Sequence, residues 1–302
     1  MEESKKTMKL NFMKYKKIYF LISFLFLIPS IFSLIAWGLK PSIDFTGGSV
    51  LEVRSLKDTS EVKSLNTSEV EGLADELGVD LSSIQQSNQG TLIFKMKEIN
   101  KDEKQELLSN LKREFGEIEE IRFETVGPII GRELIKKTIT AIVLTAGFIL
   151  FYVAYRFKDK KYGVCAILAM FHDTVILLGI FSLLGHFFEV EIDTLFVTAV
   201  LTILSFSVHD TVVVYDRIRE SIRTHPKVKF EDLVNKAVAE TLTRSVNNSM
   251  TIIFMILCFY LLGGQTIKWF TFALLIGTIS GTYSSTFTAA PLLILWEEIK
   301  KK

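Results

Sequence analysis

Cysteine is nearly absent from this chain. Its 302 residues hold two, Cys165 and Cys258, and both lie inside apolar runs, which excludes a disulfide framework and a thiolate metal cluster. An excess of one charge is also missing. Thirty-five basic side chains face 34 acidic ones, for a net charge of +1, and this removes any general electrostatic argument for a nucleic-acid partner. No HExxH zinc pattern and no GxSxG serine pattern occurs, so neither His172-Asp173 nor His209-Asp210 reads as intramembrane enzyme chemistry and the chain is not expected to be an enzyme. What the sequence does have is apolar length. It is 49% hydrophobic with a mean hydropathy of +0.33, a value that soluble chains rarely reach, and several apolar runs of about 20 residues are long enough to cross a hydrocarbon layer of roughly 30 Å. The class this implies is an α-helical polytopic membrane protein in contact with the lipid bilayer.

Six transmembrane helices are predicted. The first run, Ile18–Leu39, follows Lys14, Lys16 and Lys17. A signal peptide would have an apolar core of only about 7–15 residues ending at a small-residue cleavage site, whereas this run is longer, contains Pro29 and ends Ala36-Trp37-Gly38-Leu39-Lys40. Five more spans follow a polar stretch: approximately Thr138–Tyr155, Val164–Phe187, Thr194–Tyr215, Met250–Leu262 and Ile267–Leu295, the fifth beginning earlier among the polar residues after Thr243. Basic residues orient them. Arg156, Lys158, Lys160 and Lys161 separate spans 2 and 3, Arg217 to Arg244 separate spans 4 and 5, and the chain ends in three lysines, while the alternate loops carry Glu189 and Glu191 or a single Lys268. Both termini are therefore expected in the cytoplasm of a cell membrane, with the large loop outside. The predicted organisation is a cytoplasmic tail over 1–17, span 1 over 18–39, an extracytoplasmic domain over 40–137, spans 2–6 over 138–296 with a cytoplasmic loop at 216–243, and a tail over 297–302.

The loop between spans 1 and 2 mixes two periodicities. Ser49–Arg54 reads as a strand, Ser68-Glu69-Val70-Glu71 as a capping box opening a helix with Val70, Leu73, Ala74 and Leu77 on one face, and Ser82–Gln86 and Thr91–Lys95 as strands joined by a turn at Asn88-Gln89-Gly90. Asn100, with Glu103 three residues on, caps a second helix whose Leu107, Leu108, Leu111 and Phe115 face inward, and Glu119–Thr125 is a last strand. The order β-α-β-β-α-β is that of an α+β ferredoxin-like domain, which by itself identifies no function. Asn66-Thr67-Ser68 is a glycosylation sequon that matters only in a glycosylating secretory compartment.

Ionisable groups within a span cost about 2.5–3.5 kcal/mol on insertion scales, turn inward and mark pathways. Span 4 carries Ser205, Ser207, His209, Asp210 and Thr211. Ile203, Ser207, Asp210 and Val214 share a stripe bordered by Thr211, and hydroxyls beside a carboxylate suit a water-lined proton site. The alternative is that Asp210 anchors a neighbouring helix. A carboxylate in hydrocarbon favours its neutral form and a nearby arginine favours the ionised one, so pairing and unpairing with Arg244, at the start of span 5, would load and unload a proton. The alternative for Arg244 is an interfacial anchor, and Asp216, Arg217 and Arg219 read as interfacial. His172-Asp173 in span 3 is a possible secondary relay or a structural hydrogen-bonded pair; no third ligand at metal spacing accompanies it. Gly277-x-x-x-Gly281 in span 6, beside Ser280, Ser284 and Ser285, reads as close helix packing. Phe230–Leu242 is an amphipathic helix on the membrane surface or against the bundle.

Four segments together resemble the SecF family, the subunit that works with SecD in Sec protein export: Ile43-Asp44-Phe45-Thr46-Gly47-Gly48, Val126-Gly127-Pro128, Asp210-Thr211-Val212-Val213-Val214-Tyr215-Asp216-Arg217-Ile218-Arg219-Glu220, and Thr241-Leu242-Thr243-Arg244-Ser245. The resemblance implies a fold like the resistance-nodulation-division transporters. It also implies a SecD-like six-span partner, contact with the SecYEG channel, other Sec accessory proteins and unfolded exported polypeptides, and proton flow through Asp210 and Arg244 that moves the outer domain. Protons would be the coupling ion and no cofactor is implied. His209 departs from the asparagine more usual in the family, and Asn247-Asn248 is unusual at the start of span 5. A proton-driven small-molecule efflux transporter of the same fold is the alternative, and a wide aromatic cleft in the outer domain would favour it.

Overall fold

A computed structural model of the protein describes residues 11–55, 72, 79–86, 91–157 and 159–300. The helix expected after Ser68, the turn at Asn88-Gln89-Gly90, the sequon at Asn66 and the arm Met1–Leu10 lie outside the described residues. The chain forms two compact units, Pro41–Thr140 and the remainder.

The helical unit begins with a short tight turn, Phe12–Tyr15, that runs into α1 (Lys16–Ala36). The chain then passes to the sheet unit. A one-turn helix, α2 (Ile43–Thr46), leads into β1 (Gly48–Ser55), followed by β2 (Leu81–Gln86), β3 (Thr91–Met96), α3 (Lys101–Phe115) and β4 (Ile118–Val126). The strands lie in the order β2-β3-β1-β4 with every neighbouring pair antiparallel. Alternation dictates which side is buried: Leu51 and Val53 of β1 join Phe94 and Met96 of β3 in a core closed by Leu107 and Leu111 of α3. The start of α3 is fixed by reciprocal capping. Asn100 Oδ1 accepts from the amides of Asp102 and Glu103 at 2.9 Å, and Glu103 Oε2 accepts from the Asn100 amide at 2.8 Å. On β4 the Arg122 guanidinium donates to Glu124 at 2.5 Å, which holds it further in its charged form against partial burial.

Two of the short motifs meet here. Gly47 and Gly48 take φ values of +77° and +129°, a region L side chains rarely adopt. A Cβ on Gly47 would lie 2.8 Å from Pro128 Cα, and one on Gly131 would lie 2.8 Å from the Phe45 carbonyl oxygen. The glycines let the segment after span 1 lie against the start of the next long helix, α4 (Pro128–Arg156).

The remaining elements of the helical unit are α5 (Lys160–Phe188), α6 (Thr194–Thr224), α7 (Phe230–Leu262), α8 (Gln265–Ser284), a single wide π turn over Ser285–Ala289, and α9 (Ala290–Lys300). Among the described residues, five helices are long and apolar enough to cross a membrane: Phe12–Ala36, α4, α5, α6 and α7. This is a multi-pass membrane protein. The stretch from Gln265 is helical to Lys300, but Thr271, Thr278, Ser280, Thr282 and Ser284 thin its apolar content.

The amphipathic helix expected over Phe230–Leu242 is not a separate element. α6 continues to Thr224, and α7 starts at Phe230 and runs 33 residues without a break. The reason lies in the buried stripe Val234, Val238, Thr241, Ser245 and Ser249, whose spacing of three and four carries one helical face straight through the polar segment. At 1.5 Å per residue α7 is about 50 Å long, more than the roughly 30 Å of a hydrocarbon layer.

Small residues set the closest helix contacts. A Cβ on Gly179 of α5 would lie 2.1 Å from Ser30 Cβ of α1, and Ser33 donates to the Gly179 carbonyl at 3.0 Å. Between α8 and α6, a Cβ on Gly277 would lie 2.3 Å from Ile203 Cγ1, and one on Gly281 would lie 3.1 Å from Phe206 Cδ1. The lysine- and arginine-rich helix ends gather at one end of the bundle, where Lys161 pairs with Glu297 and Lys16 with Glu298, both at 2.5 Å, Arg217 pairs with Glu240 at 2.7 Å, and Arg156 pairs with Asp216. Partly exposed pairs of this kind contribute about 0–1 kcal/mol each.

Candidate functional site

Two carboxylates lie buried in the bundle, on neighbouring helices. Asp173 of α5 is 0% exposed and Asp210 of α6 is 7% exposed. An uncompensated charge there would cost several kcal/mol, and the surrounding hydroxyls supply the compensation. Asp210 accepts from Ser245 of α7 on both oxygens, at 2.5 and 2.6 Å, and from Ser285 at the start of the π turn. Asp173 accepts from Ser207 of α6 at 2.6 Å, from Ser280 and Ser284 of α8 at 2.6 and 2.5 Å, and its Oδ1 lies 3.0 Å from His172 Nδ1. Four helices, α5 to α8, and the π turn are thus fastened through two carboxylates, and Ser284 and Ser285, consecutive in the chain, serve one each. Charge-assisted hydrogen bonds of this type are worth about 1.5–3 kcal/mol apiece.

Several candidate residues lie elsewhere than the stripe implies. Ser207 does not join Asp210; α5 packs against that face of α6, and the hydroxyl turns to Asp173. Thr211 is 0% exposed, and its hydroxyl has no hydrogen-bond partner among the described residues. Arg244 is not brought to Asp210. It is exposed, and among the described residues it pairs with no carboxylate, because positions one apart on a helix point about 100° apart and Ser245 takes the inward place. His209 is exposed for the same reason, beside the buried Asp210. His172 and Asp173 do contact each other, although adjacent helix positions need not, and His172 Nε2 is buried without a partner among the described residues. Gly277 and Gly281 sit on the face of α8 that meets α6, one turn from Ser280 and Ser284. No group of three or more metal-ligating side chains occurs among the described residues.

Ser245, Ser280, Ser284 and Ser285 are the residues that spacing around Asp210 does not single out. Their signal is density: from Thr278 to Thr288 the chain carries Ser280, Thr282, Ser284, Ser285 and Thr286 inside an otherwise apolar helix. Glycine spacing explains close packing there but not this run of hydroxyls. A π turn in the same place is a recurrent mark of functional sites.

Outward faces carry a second polar feature. Ser205 and His209 of α6, and Arg244, Asn247 and Asn248 of α7, are exposed and, among the described residues, without side-chain partners. Bare polar groups of this kind on membrane helices would be costly against lipid.

Comparison with known proteins gives the family. The sequence matches the family described as protein export membrane protein SecD/SecF, C-terminal, over residues 106–299, and the SecD/SecF GG motif over residues 32–55. It is 44% identical over 300 residues to the protein translocase subunit SecF of Thermobaculum terrenum, covering 95% of this chain and 94% of that protein. It is 36% identical over 294 residues to the protein translocase subunit SecF of Anaerolinea thermophila, again covering 95% and 94%. Among solved structures it is similar to SecDF, a translocon-associated membrane protein from Thermus thermophilus, with a TM-score of 0.82 and 32% identity over 96% of this chain. The chain spans 39% of the length of that SecDF.

Proposed function

The chain belongs to the SecD/SecF family of protein export membrane proteins, and from that premise we propose that it is a SecF-like subunit that assists Sec-dependent translocation by coupling proton flow to movement of its sheet unit. In this reading six helices span the cytoplasmic membrane, the sixth being the stretch from Gln265 through the π turn. The basic helix ends lie in the cytoplasm, and their gathering at one end of the bundle supports that orientation under the positive-inside rule. The sheet unit lies outside. Its antiparallel order β2-β3-β1-β4 with α3 crossing from β3 to β4 supports a ferredoxin-like fold, the helix predicted between β1 and β2 completing it.

The partners are a SecD-like six-span subunit, the SecYEG channel and unfolded polypeptides emerging from it. The outward polar stripe of Ser205, His209, Arg244, Asn247 and Asn248 supports a second bundle, since a companion half would cover groups that lipid cannot satisfy. Arg244 then acts from that covered face rather than as a fixed mate of Asp210.

One observation carries the proton reading: a buried carboxylate held by hydroxyls from two other helical segments. When Asp210 is ionised, Ser245 and Ser285 are tied to it by charge-assisted bonds. Adding a proton weakens those ties and lets α7 and the π turn shift against α6, which gives the two states different contacts. One proton moving through 100 mV releases about 2.3 kcal/mol, enough to bias a two-state element roughly 50-fold.

Asp210→Asn tests the reading. The amide keeps the shape and one acceptor, so the variant should assemble with the partner subunit and lose proton-dependent stimulation of export. Stimulation equal to that of the unaltered protein would reject the proton role.

A further inference from the structure

Asp173 makes the larger share of the buried hydrogen bonds, yet the proton scheme at Asp210 leaves it without a task. We propose that Asp173 is a positioning residue for Asp210: through Ser284 and Ser207 it holds both flanks of the second carboxylate and so sets the pH at which that site responds. The inference rests on the proton reading of Asp210.

The geometry is specific. Ser284 is bonded to Asp173 at 2.5 Å, and its chain neighbour Ser285 is bonded to Asp210. Consecutive Cα atoms are 3.8 Å apart, so a shift of the backbone at Ser284 carries Ser285, the donor on Asp210, with it. From the other side, Ser207 is bonded to Asp173 at 2.6 Å and lies one helical turn before Asp210 on α6. Asp173 therefore grips Asp210's own helix and the end of α8 from which the π turn starts. The charges also matter. The titratable groups on the elements packed around Asp210 are His172 and Asp173 of α5, with Cys165 and Tyr162 further toward its basic end. α7 contributes Arg244 and Glu240, α8 contributes Tyr283, whose hydroxyl is bonded to the Tyr19 carbonyl, and Asp210's own helix contributes His209, Tyr215 and Asp216. Of these, Asp173 is the one joined to Asp210 through consecutive hydroxyls.

The experiment measures export of a reporter protein in cells carrying the full-length chain with its SecD-like partner, across a range of external pH at fixed membrane potential. Asp173→Asn should assemble and move the pH of half-maximal stimulation by about half a unit or more, because the amide holds the Ser207 and Ser284 hydroxyls less firmly and so loosens the donors placed around Asp210. Ser284→Ala should move that midpoint in the unaltered background and add nothing in the Asp173→Asn background, since it acts through the same residue. An unmoved midpoint with only reduced amplitude, or shifts that simply add, would overturn the proposal. If Asp173→Asn fails to assemble, Ser207→Ala and Ser284→Ala decide, and two unmoved midpoints reject it. Asp210→Asn run in parallel separates the failures: loss of stimulation there with no midpoint shift in the Asp173 series sinks only this inference, whereas retained stimulation in Asp210→Asn sinks the proton reading beneath it.

Discussion

Replacing Gly277 with alanine tests the contact that brings α8 and its serines against α6. The new methyl would sit 2.3 Å from Ile203 Cγ1, 2.5 Å from Cδ1 and 2.6 Å from Cγ2, whereas carbon atoms settle at about 3.5–4.0 Å. Ile203, 3% exposed and packed on all sides, has to yield by roughly 1 Å or the helices have to part, and overpacking of this kind costs about 1–3 kcal/mol. Ile203→Ala alone should cost about 2–5 kcal/mol through the void it leaves. In the double variant the three clashing carbons are gone and the alanine methyl occupies part of the void, so the combined loss should fall short of the sum by about 1 kcal/mol or more. Thermal unfolding of the four proteins in detergent, followed by tryptophan fluorescence, measures the cycle. Losses that add to within about 0.5 kcal/mol would refute the contact as drawn. Export activity should follow the same pattern, because Gly281 and Ser284 continue the face that Gly277 begins.

Thr211→Val removes a buried hydroxyl without a partner among the described residues; stability should stay equal or rise by up to about 1 kcal/mol, while proton-dependent export falls if that hydroxyl serves the path. A fall in melting temperature would show that Thr211 is bonded after all. Gly47→Ala forces a side chain into a positive φ and against Pro128, so it should destabilise the sheet unit by about 1–3 kcal/mol, seen as faster proteolysis of that unit; unchanged proteolysis would contradict the close approach at Pro128.

Much of the architecture is legible in the chain because its signals are one-dimensional. Apolar runs announce the membrane helices, period-two alternation at Leu51 and Val53 announces the sheet face, and Asn100 with Glu103 announces the start of α3. The candidate site is legible only in its centre. Asp173 and Asp210 stand out because a carboxylate in hydrocarbon is costly wherever it falls. Their partners do not, because serine is common in membrane helices and only the third dimension decides which hydroxyl meets which acid. Stripe logic on α6 places Ser207 with Asp210, but packing by α5 redirects it to Asp173. Charge logic places Arg244 with Asp210, but a helical step of 100° turns Ser245 inward and the guanidinium outward. The polar run Asn247-Asn248-Ser249 imitates a break in what is one continuous helix, since the buried stripe beneath it never loses its phase.

The wide turn at Ser285–Ala289 acts as a phase spacer between the middle of the bundle and its rim. Closing it to an ordinary α turn with every residue kept would rotate everything downstream by about 100° and push it out by about 1.5 Å, swinging Glu297 away from Lys161 and Glu298 away from Lys16. The same backbone irregularity that presents Ser285 to a buried acid therefore also meshes the last helix with its ionic clasps. A slip of that irregularity along the helix would be felt at both places at once, as a shifted tooth is felt along a whole gear.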